Sequence, residues 1–279
     1  LVVAGMLCPT ELSLYLGGLR LPPYRLVLIL MLPWALVRMA RGRGIVFRDF
    51  DLAMLAFHGA TIAAFAYHGI QYIGPDLMPS NGLVYGGSLA VDGFGGYCVA
   101  RAWVRNIDEF KAVLRLLLGA VVIAALVALP ETLLGQHFVH DLLQGLTGYV
   151  HPRDTEQRLG LTRAYGTFDH PIHLGSFCAS VLALAWYGAR GGLQRLSRGV
   201  AVVGATFTAL SSAPLLVCGV QLALIGWDRL TRGIRGRAWI TFGCILAVYI
   251  GASAAMNRSP IAFIATGMTL DSWTGFYRL

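Results

Sequence analysis

Charge is what this sequence has least of. Only 13% of its 279 residues are Asp, Glu, Lys or Arg, against about 25% in a soluble globular chain, while 56% are hydrophobic and the mean hydropathy is +0.64. That balance excludes an ordinary water-soluble domain and makes lipid the solvent to reason with. Paired cysteines are lacking as well. Cys8, Cys98, Cys178, Cys218 and Cys244 all fall in apolar stretches without CxxC spacing, which reads as small hydrophobic packing residues rather than a disulfide or metal framework. There is no tandem repeat, no low-complexity linker and no leader with a charged n-region and small-residue exit, so the spans themselves are expected to direct insertion. Nucleophile elbow, Walker loop, HExxH and paired carboxylates are missing too, so templates from soluble enzymes find no hold. The net charge of +8 is dispersed between apolar runs, which excludes nucleic acid as a partner. Because the chain starts at Leu1 and stops at Leu279 just after an amphipathic stretch, we expect a fragment of a longer protein.

What is present is a series of apolar runs long enough to cross about 30 Å of hydrocarbon. They lie near Leu21 to Met39, Leu52 to Ile73, Leu83 to Val104, Val113 to Leu134, Pro171 to Ala189 and Trp239 to Met256. Leu1 to Leu16 is a further candidate span, interrupted by Pro9 and Glu11. The expectation is an all-α, polytopic bundle forming one transmembrane domain over 1–279.

Lys and Arg gather on the cytoplasmic side. Four clusters hold fifteen of the 22 basic residues: Arg38, Arg41, Arg43 and Arg48; Arg101, Arg105, Lys111 and Arg115; Arg190, Arg195 and Arg198; Arg229, Arg232, Arg235 and Arg237. All four can be cytoplasmic only if two crossings separate each consecutive pair. Gly199 to Trp227 must then go out and come back, as two limbs of about 20 Å. We expect a short broken hairpin turning at Ser211 to Pro214, its tip below the outer surface, where irregular backbone must be buried in protein or line a wet cavity. The competing reading is one tilted, Pro-kinked helix.

Outside lie a short loop at Gly74 to Asn81, a large loop at 135–170 and, from 257 to 279, the start of a second large loop. The first large loop holds His137, His140, Asp141, His151, Arg153, Asp154, Glu156, Arg158 and Arg163, with Phe138 to Leu146 able to form an amphipathic surface helix. It descends through Arg163-Ala-Tyr-Gly-Thr-Phe-Asp-His-Pro-Ile-His173. Asp169 or His170 can cap the next helix, with Pro171 in its first turn. An outward helix N-terminus and an arginine fork form an anion site. Arg163 can equally be an interfacial anchor, and Asp169, His170 and His173 an alternative metal set. Asp92, flanked by Gly93, Gly95 and Gly96 inside a span, is either a functional carboxylate or a structural hydrogen-bonder. His58 and His68 are core histidines or proton carriers. In the tail, Ser259-Pro260 can start a surface helix near Arg258 and Arg278.

Three segments carry a resemblance: Arg163-Ala-Tyr-Gly-Thr-Phe-Asp-His-Pro with Gly175 and Phe177, the hairpin Leu210-Ser-Ser-Ala-Pro-Leu-Leu216, and Thr269-Leu-Asp-Ser-Trp-Thr-Gly-Phe-Tyr-Arg278. In order, spacing and outward position they resemble the O-antigen ligase and polymerase superfamily of bacterial membrane glycan-assembly proteins. The resemblance implies a multi-pass protein of the bacterial inner membrane, active on its periplasmic face, that needs no metal and no cofactor. It implies transfer of a glycan from an undecaprenyl-diphosphate carrier to a glycan or lipid acceptor. Arg163 and Arg278 match the family's arginines and would hold the diphosphate, with His170 beside them. Arg158, Arg258, Ser211, Ser212 and Asp92 are the expected substrate contacts. Ser212-Ala213-Pro214 departs from the family's Ser-Arg-Gly tip, and the family's late loop histidine, its acceptor base, would lie past Leu279. Alternatives are a transporter with a midplane site, or a scaffold in a polysaccharide export complex.

Overall fold

The computed structural model describes residues 1–16, 19–41, 49–73, 78–148 and 156–255. Among them, five helices are long and apolar enough to cross a membrane: Pro23–Arg41, Phe50–His68, Ile107–Leu134, Ser212–Leu230 and Arg237–Ala254. The protein is therefore a largely helical membrane protein. It also carries, among the described residues, three two-stranded antiparallel ribbons that an all-α reading omits. The chain divides into two compact units, one of Leu1–Val127, His137–Thr155 and Gly166–Asp169, the other of Ala128–Gln136, Glu156–Tyr165 and His170–Leu279.

In the first unit, Leu1 to Leu16 does not form the expected span. It folds as α1 (Val2–Leu7), a 3-10 turn at Thr10–Leu12 and strand β1 (Leu14–Leu16), which pairs with β2 (Leu19–Leu21). The physical reason is Glu11, whose side chain is buried and bonds Nδ1 of His140 on α7 (Phe138–Thr147). A carboxylate in an apolar run needs a polar partner, and this one is found by turning out of the helix. Helix α7 forms over the stretch Phe138 to Leu146 expected to be helical and ends at Gly148, whose φ of 67° gives a left-handed cap.

The core of this unit lies between α2 (Pro23–Arg41) and α5 (Gly96–Trp103), where Leu28 and Ala35 meet Cys98, Val99 and Ala102. Small side chains at this seam let the helices approach, as packing in lipid requires. Helix α3 (Asp49–His68) leads through the ribbon β3 (Ile70–Ile73) and β4 (Met78–Asn81) to α4 (Gly82–Ala90), and a π-turn at Val91–Gly95 joins α4 to α5. Together, α4, the π-turn and α5 make most of the expected span Leu83 to Val104 helical, but it is not among the five helices long and apolar enough to cross a membrane. A Cβ at Gly93 would lie 2.2 Å from Cε1 of His58, so glycine makes room for a buried imidazole. His58 lies against Phe57 and Phe94 with its Nδ1 lacking a hydrogen-bond partner, while His68 is exposed. At the other end of these helices, buried Asp51 pairs with Arg101 and Tyr97, and Arg38 stacks on Trp103. Helix α6 (Ile107–Leu134) runs from the first unit into the second.

The second unit follows with β5 (Gln157–Arg158), β6 (Leu161–Thr162), α8 (Pro171–Ser180), α9 (Leu182–Tyr187), α10 (Gly192–Thr208), α11 (Ser212–Leu230) and α12 (Arg237–Ala255). The break between α8 and α9 is bridged by Gln221 of α11, which donates to the Ala179 carbonyl at 2.9 Å and accepts from the Ala183 amide at 3.0 Å. This satisfies backbone that lipid could not. The broken hairpin is present. Cys218 Sγ lies 3.7 Å from Thr206 Oγ1, whereas twelve residues along one helix would separate them by about 18 Å. The turn falls at Ala209 to Ser211, with Leu210 at φ 42°, earlier than expected, because Pro214 fits the first turn of α11, where its missing N–H costs nothing. The limbs are also longer than expected. Helix α10 starts at Gly192 and so takes in Arg195 and Arg198; 17 and 19 residues give about 26 and 28 Å.

Candidate functional site

The hairpin tip and the short ribbon form a polar cluster at one end of the second unit. Strands β5 and β6 pair Gln157 with Thr162 and Arg158 with Leu161, and the Arg163 amide donates to the Glu156 carbonyl at 3.2 Å, which sets Glu156 opposite Arg163. Alternation along a strand then puts Glu156, Arg158 and Arg163 on one face. The turn between the strands is Leu159-Gly160, with φ of 55° and 76°. Both values are positive, as a tight two-residue hairpin turn demands, and leucine is strained there.

One carboxylate serves two guanidiniums. Glu156 Oε1 accepts from Arg158 Nη2 at 2.8 Å and Nε at 3.0 Å, and Oε2 accepts from Arg163 Nη1. The arginine side chains are 11% and 7% exposed, that of Glu156 40%. Arg158 also donates to the Leu210 carbonyl and Arg163 to that of Ala209, both at 3.4 Å, while the Ala164 amide donates to Thr208 at 3.1 Å. These carbonyls close the C-terminal end of α10, where the helix dipole favours cations. From α6, buried Glu131 accepts from the Tyr165 amide at 2.9 Å, and the Thr132 hydroxyl lies 3.2 Å from the Thr208 carbonyl.

Burial works to raise the Glu156 carboxyl, but hydrogen bonds and charge from Arg158 and Arg163 outweigh it and hold the group below its ordinary 4.5. A depressed folded value means that its stabilisation is complete above the unfolded value and is lost as pH falls through the folded one. Thermal unfolding followed from pH 7 to pH 3 is therefore expected to show an acid limb that flattens in Glu156→Gln. An unchanged limb would contradict this linkage.

His170 is exposed and caps α8, its Nδ1 accepting from the Ile172 amide at 3.1 Å. An accepting Nδ1 carries no proton, so a neutral ring has its proton on Nε2 and serves as a donor rather than a base. The rings of His170 and His173 are 6.0 Å apart, and no group of three or more His, Cys, Asp or Glu is arranged for a metal among the described residues. Ser211 is the N-cap residue of α11, buried and without a side-chain cap bond, and Ser212 opens the helix. Gly175 of α8 faces the tip closely, since a Cβ there would lie 2.8 Å from Pro214 Cγ.

The first unit answers the other expectations. Asp92 forms a two-pronged pair with Arg25, at 2.5 and 2.8 Å, with Tyr24 OH at 3.3 Å, a structural ion pair on the π-turn. Asp169 pairs with Arg20 at 2.9 and 3.0 Å rather than capping α8. Arg153, Arg258 and Arg278, with the Ser259-Pro260 start, lie outside the described residues. Arg20 pairs with Asp169 and Arg25 with Asp92, whereas Glu156 bridges Arg158 and Arg163. Glu156, Glu131 and Gln221 were not foreseen; for Glu156, its offset of two from Arg158 was a usable signal. Compared with known proteins, the chain matches no family model, no curated protein and no solved structure.

Proposed function

We propose that the protein transfers a glycan from an undecaprenyl-diphosphate carrier to a glycan or lipid acceptor, as a multi-pass enzyme of the bacterial inner membrane with its active face on the periplasmic side. The observation that carries this reading is the arginine pair on the β5–β6 ribbon, bridged by Glu156 and anchored to the carbonyls of the broken hairpin. In this reaction the acceptor hydroxyl oxygen bonds to the anomeric carbon, and the bond from that carbon to the carrier phosphate breaks. The electron pair leaves on a diphosphate oxygen, and the hydroxyl proton passes to a base outside the described residues. Guanidiniums fixed before the reaction stabilise that leaving charge without reorganising. Their anchors, the carbonyls of Ala209 and Leu210 and the Glu131-held segment after Arg163, supply the fixity. His170 Nε2 can add a neutral donor, and Arg278 and Arg258 would complete the anion contacts from the second loop.

Deleting the gene in its host is expected to abolish the mature glycan while carrier-linked glycan accumulates, and the full-length gene is expected to restore both. Product that persists without accumulation would rule the reading out. A transport reading draws on the half-buried Asp92 at a π-turn, a feature frequent at functional sites. It requires Asp92→Asn to abolish substrate flux into proteoliposomes, yet Asp92 already has a full partner in Arg25.

A further inference from the structure

We propose that the end of the second unit opposite the hairpin tip is a binding site for anionic phospholipid headgroups, with arginines on the phosphate and the apolar side chains between them among the acyl chains. This site is separate from the arginine pair at the tip and does not depend on glycan transfer.

Composition supplies the charge. Between His170 and Ala255 the chain has seven arginines, no lysine and one acidic residue, Asp228. All seven lie at the two chain reversals away from the tip. Arg190, Arg195 and Arg198 run from the link after α9 into the first two turns of α10, and the other four run from the last turn of α11 to the first residue of α12. The fold joins these reversals into one surface. The Arg229 guanidinium lies 5.0 Å from the centre of the Trp186 ring on α9, and the Tyr187 hydroxyl donates to Asp228 Oδ2 at 3.2 Å. Arg198 Nη1 donates to the Gly188 carbonyl at 3.3 Å, and Trp227 Nε1 donates to Thr241 Oγ1 at 2.6 Å, which holds α12 beside α11. Asp228 takes Arg232 at 3.3 Å and Arg237 at 2.7 Å. Among the described residues, the guanidiniums of Arg190, Arg195 and Arg235 have neither a carboxylate nor a hydrogen-bond acceptor in reach.

What lies between the arginines selects the partner. Leu193, Leu230 and Trp239 are 82%, 82% and 80% exposed, and Leu196 and Ile234 are half-exposed. A nucleic acid or an acidic soluble protein would meet the charges and leave these apolar groups in water. A phospholipid takes both kinds at once, since tryptophan at a helix end sits at headgroup level and an arginine lays its stem along the chains with its head at the phosphate. The planar fork then offers parallel N–H bonds to two phosphate oxygens. Phosphatidylcholine carries its own cation beside the phosphate, so an excess of arginine favours a headgroup of net negative charge.

The test is native mass spectrometry of the full-length protein in detergent, titrated with phosphatidylglycerol or with phosphatidylcholine of matched chains. Each arginine on an anionic headgroup is worth about fivefold in affinity, so wild type is expected to bind phosphatidylglycerol at least about tenfold more tightly. Rising salt is expected to shrink that preference. Arg190→Gln/Arg195→Gln/Arg235→Gln spares every contact that joins the two reversals and is expected to remove most of it. Lysine at the same three positions keeps the charge that directs insertion but loses the fork. It is expected to leave an intermediate preference, and it carries the test should the glutamine variant fail to insert. Equal affinity of wild type for the two lipids, or a preference undiminished in both triple variants, would overturn the site. So would displacement of phosphatidylglycerol by equimolar inorganic phosphate, which would assign the arginines to a free anion, or by a short RNA, which would assign them to nucleic acid.

Discussion

Arg163→Ala is expected to lower glycan output at least hundredfold while the protein still inserts and accumulates in the membrane. The magnitude follows from the cost of removing one fixed donor from a leaving-group site, about 10²–10³ in rate. The loss is more than a missing charge. Arg163 is 6% exposed and ties Glu156 to the Ala209 carbonyl at the end of α10, so its removal also frees Glu156 to bind Arg158 alone. Arg163→Lys keeps the charge but gives up the planar fork whose separated nitrogens reach Glu156 and the Ala209 carbonyl together, and it is expected to recover a minor part of the output. Product measured against membrane-inserted protein checks both variants. A merely structural arginine would lower protein level and product together, whereas a leaving-group arginine lowers product per molecule.

The second large effect concerns stability and lies in the first unit. Arg25→Ala is expected to destabilise the protein by about 3 kcal/mol, because it leaves the half-buried Asp92 carboxylate beside apolar helices with Tyr24 as its remaining partner. Asp92→Ala is expected to do the same from the other side, stranding a guanidinium whose side chain is 11% exposed. The double variant Arg25→Leu/Asp92→Leu is expected to regain most of the loss, since apolar replacement of both partners removes the unpaired charge. Unfolding curves in mixed detergent would report the three. Near-additive losses, with the double variant worst, would show that the pair is not the reason for the charges being there.

Much of the helix pattern was legible because lipid demands it. The runs from Leu21, Leu52, Val113 and Trp239 are long, apolar and bounded by arginines, and helices occupy each. The sidedness argument also called for a reversal between Gly199 and Trp227, which the Cys218 to Thr206 contact bears out. What stayed hidden depended on distant partners. The run from Leu1 resembles a short span until Glu11 is seen against His140, 129 positions away. Asp92 reads as an isolated carboxylate until Arg25 is seen beside it. The ribbon at Gln157–Thr162 gave no hairpin signal, because its turn is Leu159-Gly160 rather than the Asn-Gly or Asp-Gly that marks such turns. Once the ribbon is known, Glu156, Arg158 and Arg163 fall on one face by simple alternation. Arg163 was therefore picked out by its neighbours in sequence, but its counter-ion only by the fold.

The proposed role of Arg158 and Arg163 is to hold the carrier's diphosphate during transfer. Its most direct test gives purified full-length protein in proteoliposomes a defined lipid-linked glycan and an acceptor, and measures product beside released carrier diphosphate. Wild type is expected to form both in equal amounts, and Arg158→Ala/Arg163→Ala to form neither above background while remaining folded. Equal product from wild type and the double variant would contradict the account.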